Sequence, residues 1–149
     1  MPFPYASRDD MIRHCTLDEV VALTNLSDAS ATTIDEDVLS QGLAGAAEEV
    51  DAYVGNRYSL DMLHGLDPAP AMLIKANCVI ARKDLDGVNT RESVLEAYRD
   101  IIRFLTQITK GMATLNLGSS QPEPPRDSPQ FSAPAPVFTR ETLSDYGQF

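Results

Sequence analysis

The sequence predicts a mainly α protein: a compact bundle of four to five helices followed by an extended, proline-rich C-terminal arm. Apolar residues recur at helical spacing in three long stretches, and capping signals occur near helix starts. The long stretches cover about residues 34–60, 71–85 and 90–110. Most of the prolines fall between residues 118 and 137, where they exclude a helix. We therefore predict a helical domain over residues 1–117 and an arm over residues 118–149.

Two short helices are predicted near the N-terminus, over residues 7–14 and 16–25. Thr16 and Glu19 have the spacing of a capping box, in which each side chain satisfies a free amide of the other residue. The second helix then has an apolar face formed by Leu17, Val20, Val21, Leu23 and Thr24. Residues 25–33 are rich in turn formers, so we expect a loop there.

The third helix, residues 34–60, is the longest and has the plainest amphipathic pattern. It should begin near Thr33 or Asp35, because Thr33 and Glu36 repeat the capping-box spacing. Its predicted buried face consists of Leu39, Leu43, Ala46, Ala47, Val50, Tyr53 and Val54. Residues 59–70 are predicted to form a loop.

The fourth and fifth helices are predicted over residues 71–85 and 90–110. Pro70 suits the first turn of the fourth helix, and Lys110 followed by Gly111 suits the end of the fifth. The fourth has an apolar stripe of Met72, Leu73, Ala76, Val79 and Ile80, and the fifth has one of Val94, Tyr98, Ile101, Ile102, Leu105, Ile108 and Met112. Three long apolar stripes can bury one another, which favours a bundle.

The formal net charge of −10 argues against tight binding of nucleic acid, because proteins that hold DNA normally display a basic face. An acidic surface suits a protein past which DNA must slide. No apolar run approaches about 18 residues, so no membrane span is predicted. The N-terminal residues lack the basic and apolar regions of a secretory signal, and we expect none.

Metal-binding and catalytic motifs are not apparent in the sequence. His14, Cys15, His64 and Cys78 lack the short paired spacings of zinc ligands. Two distant cysteines fit free thiols in a reducing cytosol better than a disulfide framework. The sequence has no P-loop, dinucleotide fingerprint or nucleophile elbow. We therefore expect no enzyme activity, no metal and no cofactor.

An aromatic and basic cluster lies at the end of the third predicted helix, where Tyr53, Arg57 and Tyr58 fall close together. One interpretation is packing, with the Arg57 stem on a tyrosine ring and its head at the helix C-terminus. The other is a contact between subunits, since tyrosine and arginine are common interface anchors. Both tyrosines follow the buried spacing, so packing is favoured, and all three stay interface candidates.

The end of the chain supplies the other interface candidates. They are the apolar residues Val137, Phe138, Leu143, Tyr146 and Phe149, together with Arg140. A terminus without a binding role would not need so many apolar anchors. Such an arm either folds back on its own bundle or docks on a neighbour or partner, and the reach of the proline-rich spacer favours docking.

Several sequence elements follow one another in a specific order. They are Tyr5 with the first short helix, then residues 23–26, 34–35, 50–58, 71–82, 96–102, 109–112 and 137–143. In this order they resemble the small Mu-type phage and prophage neck protein family. The resemblance covers nearly the whole chain, and its least typical segment is the long loop predicted over residues 59–70.

The resemblance implies a structural virion protein, a head–tail connector or adaptor. Such proteins form a ring, commonly of twelve copies, between portal and tail around the DNA channel. The implied partners are further copies of the chain, the portal protein, and a tail-side neck or tail-terminator protein. DNA would pass through without specific binding. The implied location is the virion, after assembly in the cytoplasm of the bacterial host, and neither enzyme activity nor a cofactor is implied.

An alternative hypothesis is a small helical regulator that binds protein or DNA. The two short N-terminal helices have the lengths of a helix-turn-helix. Neither carries the basic face expected of a DNA reader, which makes this alternative the weaker one.

Overall fold

The computed structural model describes residues 5–117, and all regular secondary structure within them is helical. The helices are α1 (Arg8–His14), α2 (Leu17–Thr24), α3 (Glu36–Val54), α4 (Leu60–His64), α5 (Ala71–Leu85) and α6 (Glu92–Thr109), with a 3₁₀ turn at Gly87–Asn89. The predicted helical fold class is confirmed. The predicted arm lies outside the described residues. No helix in the described part of the chain is long and apolar enough to cross a membrane.

The core forms where α3, α5 and α6 pack against one another, with α1 and α2 covering α5 and α3. Side chains that are at most 1% exposed come from each of the three long helices, for example Leu39, Val50, Leu73, Ile80 and Leu105. Burial of each such side chain stabilises the fold by roughly 1.5–3 kcal/mol. The predicted buried face of α3 is confirmed at every position except Tyr53, which is half-buried.

The first two helices begin at hydroxyl caps. Ser7 caps α1 through a reciprocal capping box with Asp10, and hydrogen bonds from Ser7 lower the pKa of Asp10. Thr16 caps α2 by accepting the Glu19 amide at 3.2 Å. The second bond of the predicted capping box, from the Thr16 amide to the Glu19 carboxylate, does not form. The Glu19 carboxylate pairs with Arg82 instead, at 2.6 Å.

The third helix starts at Asp35, one of its two predicted starts, whereas its predicted end at Leu60 is wrong. Asp35 is the N-cap, with its carboxylate accepting the amides of Asp37 and Val38 at 3.1 Å, so Thr33 forms no capping box here. The helix ends at Val54 because glycine and asparagine follow, both weak helix formers. A turn then leads into α4, which occupies part of the segment predicted as a loop.

Three residues assigned to buried stripes are exposed instead: Leu17 at 50%, Met72 at 37% and Met112 at 69%. Met112 follows the end of α6, where Gly111 has a φ of +75° and the chain leaves the helical path. The Met112 amide donates to the Gln107 carbonyl at 2.9 Å, which completes a Schellman-type end. Helical spacing therefore no longer determines the direction of its side chain.

The thiols of Cys15 and Cys78 are both free, as predicted. Cys78 is buried on α5, and burial raises the pKa of its thiol to about 12. The bounds of α5 and the helix end at Lys110 and Gly111 are also as predicted.

Candidate interaction surfaces

An exposed apolar surface lies where α2, the following loop and the first turn of α3 meet. Leu17 is 50% exposed, Leu26 is 68% exposed and Val38 is 37% exposed. Two grooves of about 530 and 380 Å³ lie on this surface and share Leu26 as a lining residue. We call Leu17, Leu26 and Val38 the apolar corner. Exposed apolar groups clustered around grooves are typical of sites of contact with other proteins.

Polar bonds fix the loop that carries Leu26. The Asn25 side-chain amide donates at 2.9 Å to both the Val21 and the Thr33 carbonyls, which ties the two ends of the loop together. The Thr24 hydroxyl accepts the Asp35 amide at 3.2 Å and so joins α2 to the start of α3. Leu26 is therefore held at the surface by a braced loop.

The charges of α2 bear on the DNA-reader hypothesis. Asp18 and Glu19 are the only charged residues of this eight-residue helix, and both are acidic. A helix that enters a DNA groove gains affinity by neutralising phosphates, which these carboxylates would repel. The acidic charge of α2 therefore argues against its use as a DNA-reading helix.

The three predicted candidates at the end of α3 have different environments. Tyr58 is 4% exposed, and its hydroxyl accepts the Leu115 amide at 3.0 Å. Tyr53 is half-buried, and its backbone carbonyl accepts a hydrogen bond from the Thr109 hydroxyl at 2.9 Å. Tyr58 therefore packs the end of α3 against the segment that follows α6. The role of these residues in an interface stays a prediction.

Arg57 differs from its tyrosine neighbours. Its guanidinium lies against Gly111 at the end of α6, where a Cβ on that glycine would fall 2.2 Å from Nη1. The sequence predicted this head at the C-terminus of the third helix, but it lies at the end of α6, whose terminal carbonyls favour a cation. Its Nε is buried and has no hydrogen-bond acceptor within residues 5–117. Among the described residues, the cation that lies over a tyrosine ring is Lys83, 4.9 Å from the centre of the Tyr98 ring, and not Arg57.

The other predicted interface candidates lie outside the described residues. They are Val137, Phe138, Arg140, Leu143, Tyr146 and Phe149.

A polar cluster that sequence reasoning missed joins the N-terminal segment to α3 and α4. The Tyr5 hydroxyl donates to one carboxylate oxygen of Asp51, and His64 Nε2 lies 3.0 Å from the other. The rings of Tyr5 and His64 are 5.6 Å apart. Burial, followed by the bond to Asp51, raises the pKa of Tyr5. The only sequence signal was Asp51 on the edge of the α3 apolar face, which does not reveal its distant partners.

By its fold, the described part of the chain is a small all-helical domain with an exposed apolar corner. The family model described as Bacteriophage Mu, Gp36 matches residues 5–133, so the chain belongs to this phage protein family. It is 32% identical to the Mu-like prophage FluMu protein gp36 of Haemophilus influenzae over 113 residues, which cover 76% of each chain. It is 29% identical to gene product J of Escherichia phage Mu over 139 residues, which cover 92% of this chain and 95% of the relative.

Proposed function

We propose that this phage protein is a non-enzymatic structural component of the virion, a head–tail connector that assembles as a ring between portal and tail around the DNA channel. The observation that carries the proposal is the apolar corner, which offers exposed Leu17, Leu26 and Val38 beside two grooves on a braced surface. A ring requires each copy to present one surface to a different surface of the next copy. The corner supplies one such surface.

The charge of the chain supports a position around DNA. A net charge of −10 gives a channel wall that repels the phosphate backbone, so that DNA passes without being held. Membership of a bacteriophage Mu family supports a role in a phage particle. The proposed partners are further copies of the chain, the portal protein, and a tail-side neck or tail-terminator protein.

The C-terminal residues supply a second proposed contact. Phe138, Leu143 and Tyr146 are apolar anchors beyond a proline-rich spacer whose reach is about 3 Å per residue when extended. We assign them to the portal or to the tail-side partner. Removing residues 118–149 should then leave a folded helical domain that fails to join heads to tails.

A charge placed in the apolar corner tests the proposal. Leu26→Asp should leave the fold intact, because Leu26 is 68% exposed, and should reduce joined head–tail particles in the phage or prophage that encodes the chain. Electron microscopy of lysates should then find separate heads and tails. Val88→Asp is the matched control, since Val88 is fully exposed and does not line either groove. Normal particles from a genome that lacks the chain altogether would rule out the connector role.

A further inference from the structure

Within residues 5–117 the Arg57 guanidinium, at one end of α3, has no counter-ion. Within residues 5–117 its Nε is sealed from solvent and has no acceptor, and the side chain forms no hydrogen bond or ion pair. A buried, unpaired donor is costly, and each one in a native structure calls for a specific explanation. Arg57 contacts Gly111, and the two neighbours of this glycine, Lys110 and Met112, are both exposed. Lys110 has no ion pair to any described residue, and Met112 is 69% exposed. We call Arg57, Lys110 and Met112 the basic end.

The opposite end of α3 has the complementary chemistry. Its first turn holds Asp37, which is exposed and whose carboxylate pairs with no cation among residues 5–117. The neighbouring acids are already engaged, since Glu36 pairs with Arg8 at 2.8 Å and Asp35 caps the helix. Val38 and the apolar corner follow directly. One end of the helix thus offers a carboxylate beside exposed apolar groups, and the other a guanidinium beside an exposed methionine.

We propose that the basic end of one copy binds the Asp37 side of the apolar corner on the next copy. This inference rests on the proposed ring and names the two surfaces that form it. The occupant of each surface is a second copy of this chain, because the two ends match in both charge and apolar character. They lie at opposite ends of a 19-residue helix, about 28 Å apart. Because each copy carries the two surfaces at different places, the contact can repeat from copy to copy in the head-to-tail manner that a ring requires.

The proposed pair gives a reason for arginine and glycine at these two positions. A planar guanidinium can donate two parallel hydrogen bonds to a carboxylate, and this one lies against a glycine, which has no Cβ to displace it. Asp37 of the next copy would approach the guanidinium from outside, while the Nε of Arg57 stays buried. Met112 would contact the apolar groups beside Val38, which removes water from the ion pair and strengthens it.

Charge exchange tests this contact in the full-length chain. Arg57→Glu and Asp37→Arg, each expressed alone in the encoding phage, should weaken assembly and lower the yield of joined particles by about tenfold or more. The double variant, Arg57→Glu with Asp37→Arg, restores opposite charges at every interface and should recover the yield. Arg103→Glu is the matched control, because Arg103 is a surface arginine of α6 paired only with Asp100 among the described residues.

A second pair of variants, at exposed positions, tests the same contact without disturbing the fold. Lys110→Glu alters an exposed side chain, and combining it with Asp37→Lys should give the same loss and recovery. Single variants that match wild type, or a double variant no better than the folded singles, would overturn the contact. If the chain is needed for joining but these variants behave as wild type, the contact alone is wrong. If a genome without the chain still gives joined particles, the connector role is wrong.

Discussion

The side-chain amide of Asn77 donates a hydrogen bond of 2.9 Å to the backbone carbonyl of Leu43, inside the contact between α5 and α3. Asn77 is fully buried, and its Oδ1 accepts the Ala6 amide at 2.9 Å. One side chain therefore connects the two central helices and the N-terminal segment. Buried polar groups that are fully paired in this way help to specify a single packing arrangement.

Asn77→Leu should destabilise the protein by about 1–3 kcal/mol, because it keeps a similar volume but leaves the buried Ala6 amide without an acceptor. Urea unfolding followed by circular dichroism measures the loss. Asn56→Leu is the control, since Asn56 is exposed and its side chain bonds, among the described residues, only to the Ala52 carbonyl near the end of α3. Equal stabilities for the two variants would show that the Asn77 bonds contribute little.

The sequence could predict the bounds of α5 but not the hydrogen-bond partners of Asn77, which lies in that helix. The bounds of α5 were predictable because proline precedes it and Asp86 and Gly87 follow it, all local signals. The partners of Asn77 lie 34 and 71 residues away, so no local pattern reveals them. The same reason hides the contact of Tyr5 and His64 with Asp51.

The candidate surfaces were predictable only in part. Arg57 stood out in sequence as a cation at a helix end, but its support on Gly111 depends on how α6 meets the end of α3. The apolar corner was missed because Leu17 was assigned to the apolar face of the second helix, and Leu26 fell in a segment predicted as a loop. Periodicity shows which residues share a face, and it does not show where the core stops covering that face.

Glu19 joins α2 to α5 and to the start of α6. Its Oε1 accepts Arg82 Nη2 at 2.6 Å and Arg91 Nη2 at 2.5 Å, and Arg91 also pairs with Asp86 at 3.3 Å. Burial raises the pKa of Glu19, but the hydrogen bonds from the two arginines outweigh it, so the pKa lies below 4.5. The charged form is thus favoured in the folded state.

Glu19→Gln should therefore lower stability at neutral pH and have progressively less effect in acid. A carboxylate with a depressed pKa in the folded state contributes stability above its unfolded value, near 4.5, and loses it as pH falls through the folded value. Urea unfolding from pH 7 to pH 2 should show the two proteins converging below about pH 4.5. A constant difference across this range would contradict the assignment. Glu48→Gln, which removes an exposed carboxylate without an ion pair among the described residues, should change stability little at pH 7.

Gly45→Ala should stabilise the protein by about 0.5–1 kcal/mol, because Gly45 lies within α3 and a Cβ there meets nothing within 4 Å. Thermal and urea unfolding should both register the gain. Gly42→Ala is the comparison, since its Cβ would come within 3.1 Å of the Leu85 side chain. The gain in stability from Gly42→Ala should therefore be smaller than that from Gly45→Ala, or become a loss. A loss of stability at Gly45 would mean that this face of α3 is covered.

Gly111→Ala should cost about 1–2 kcal/mol, because Gly111 ends α6 with a φ of +75°, a conformation that strains residues with a Cβ. The Arg57 head must also move, but it is the end of a flexible side chain and can turn away at small cost. Gly111→Asn separates the two effects, since asparagine keeps the Cβ but tolerates this backbone better. Urea unfolding should therefore show a smaller loss for asparagine than for alanine. Equal losses of stability for the two variants would mean that the contact with Arg57, and not backbone strain, causes the destabilisation. In that case Gly111→Ala should have almost no effect on stability when Arg57 is also replaced by alanine.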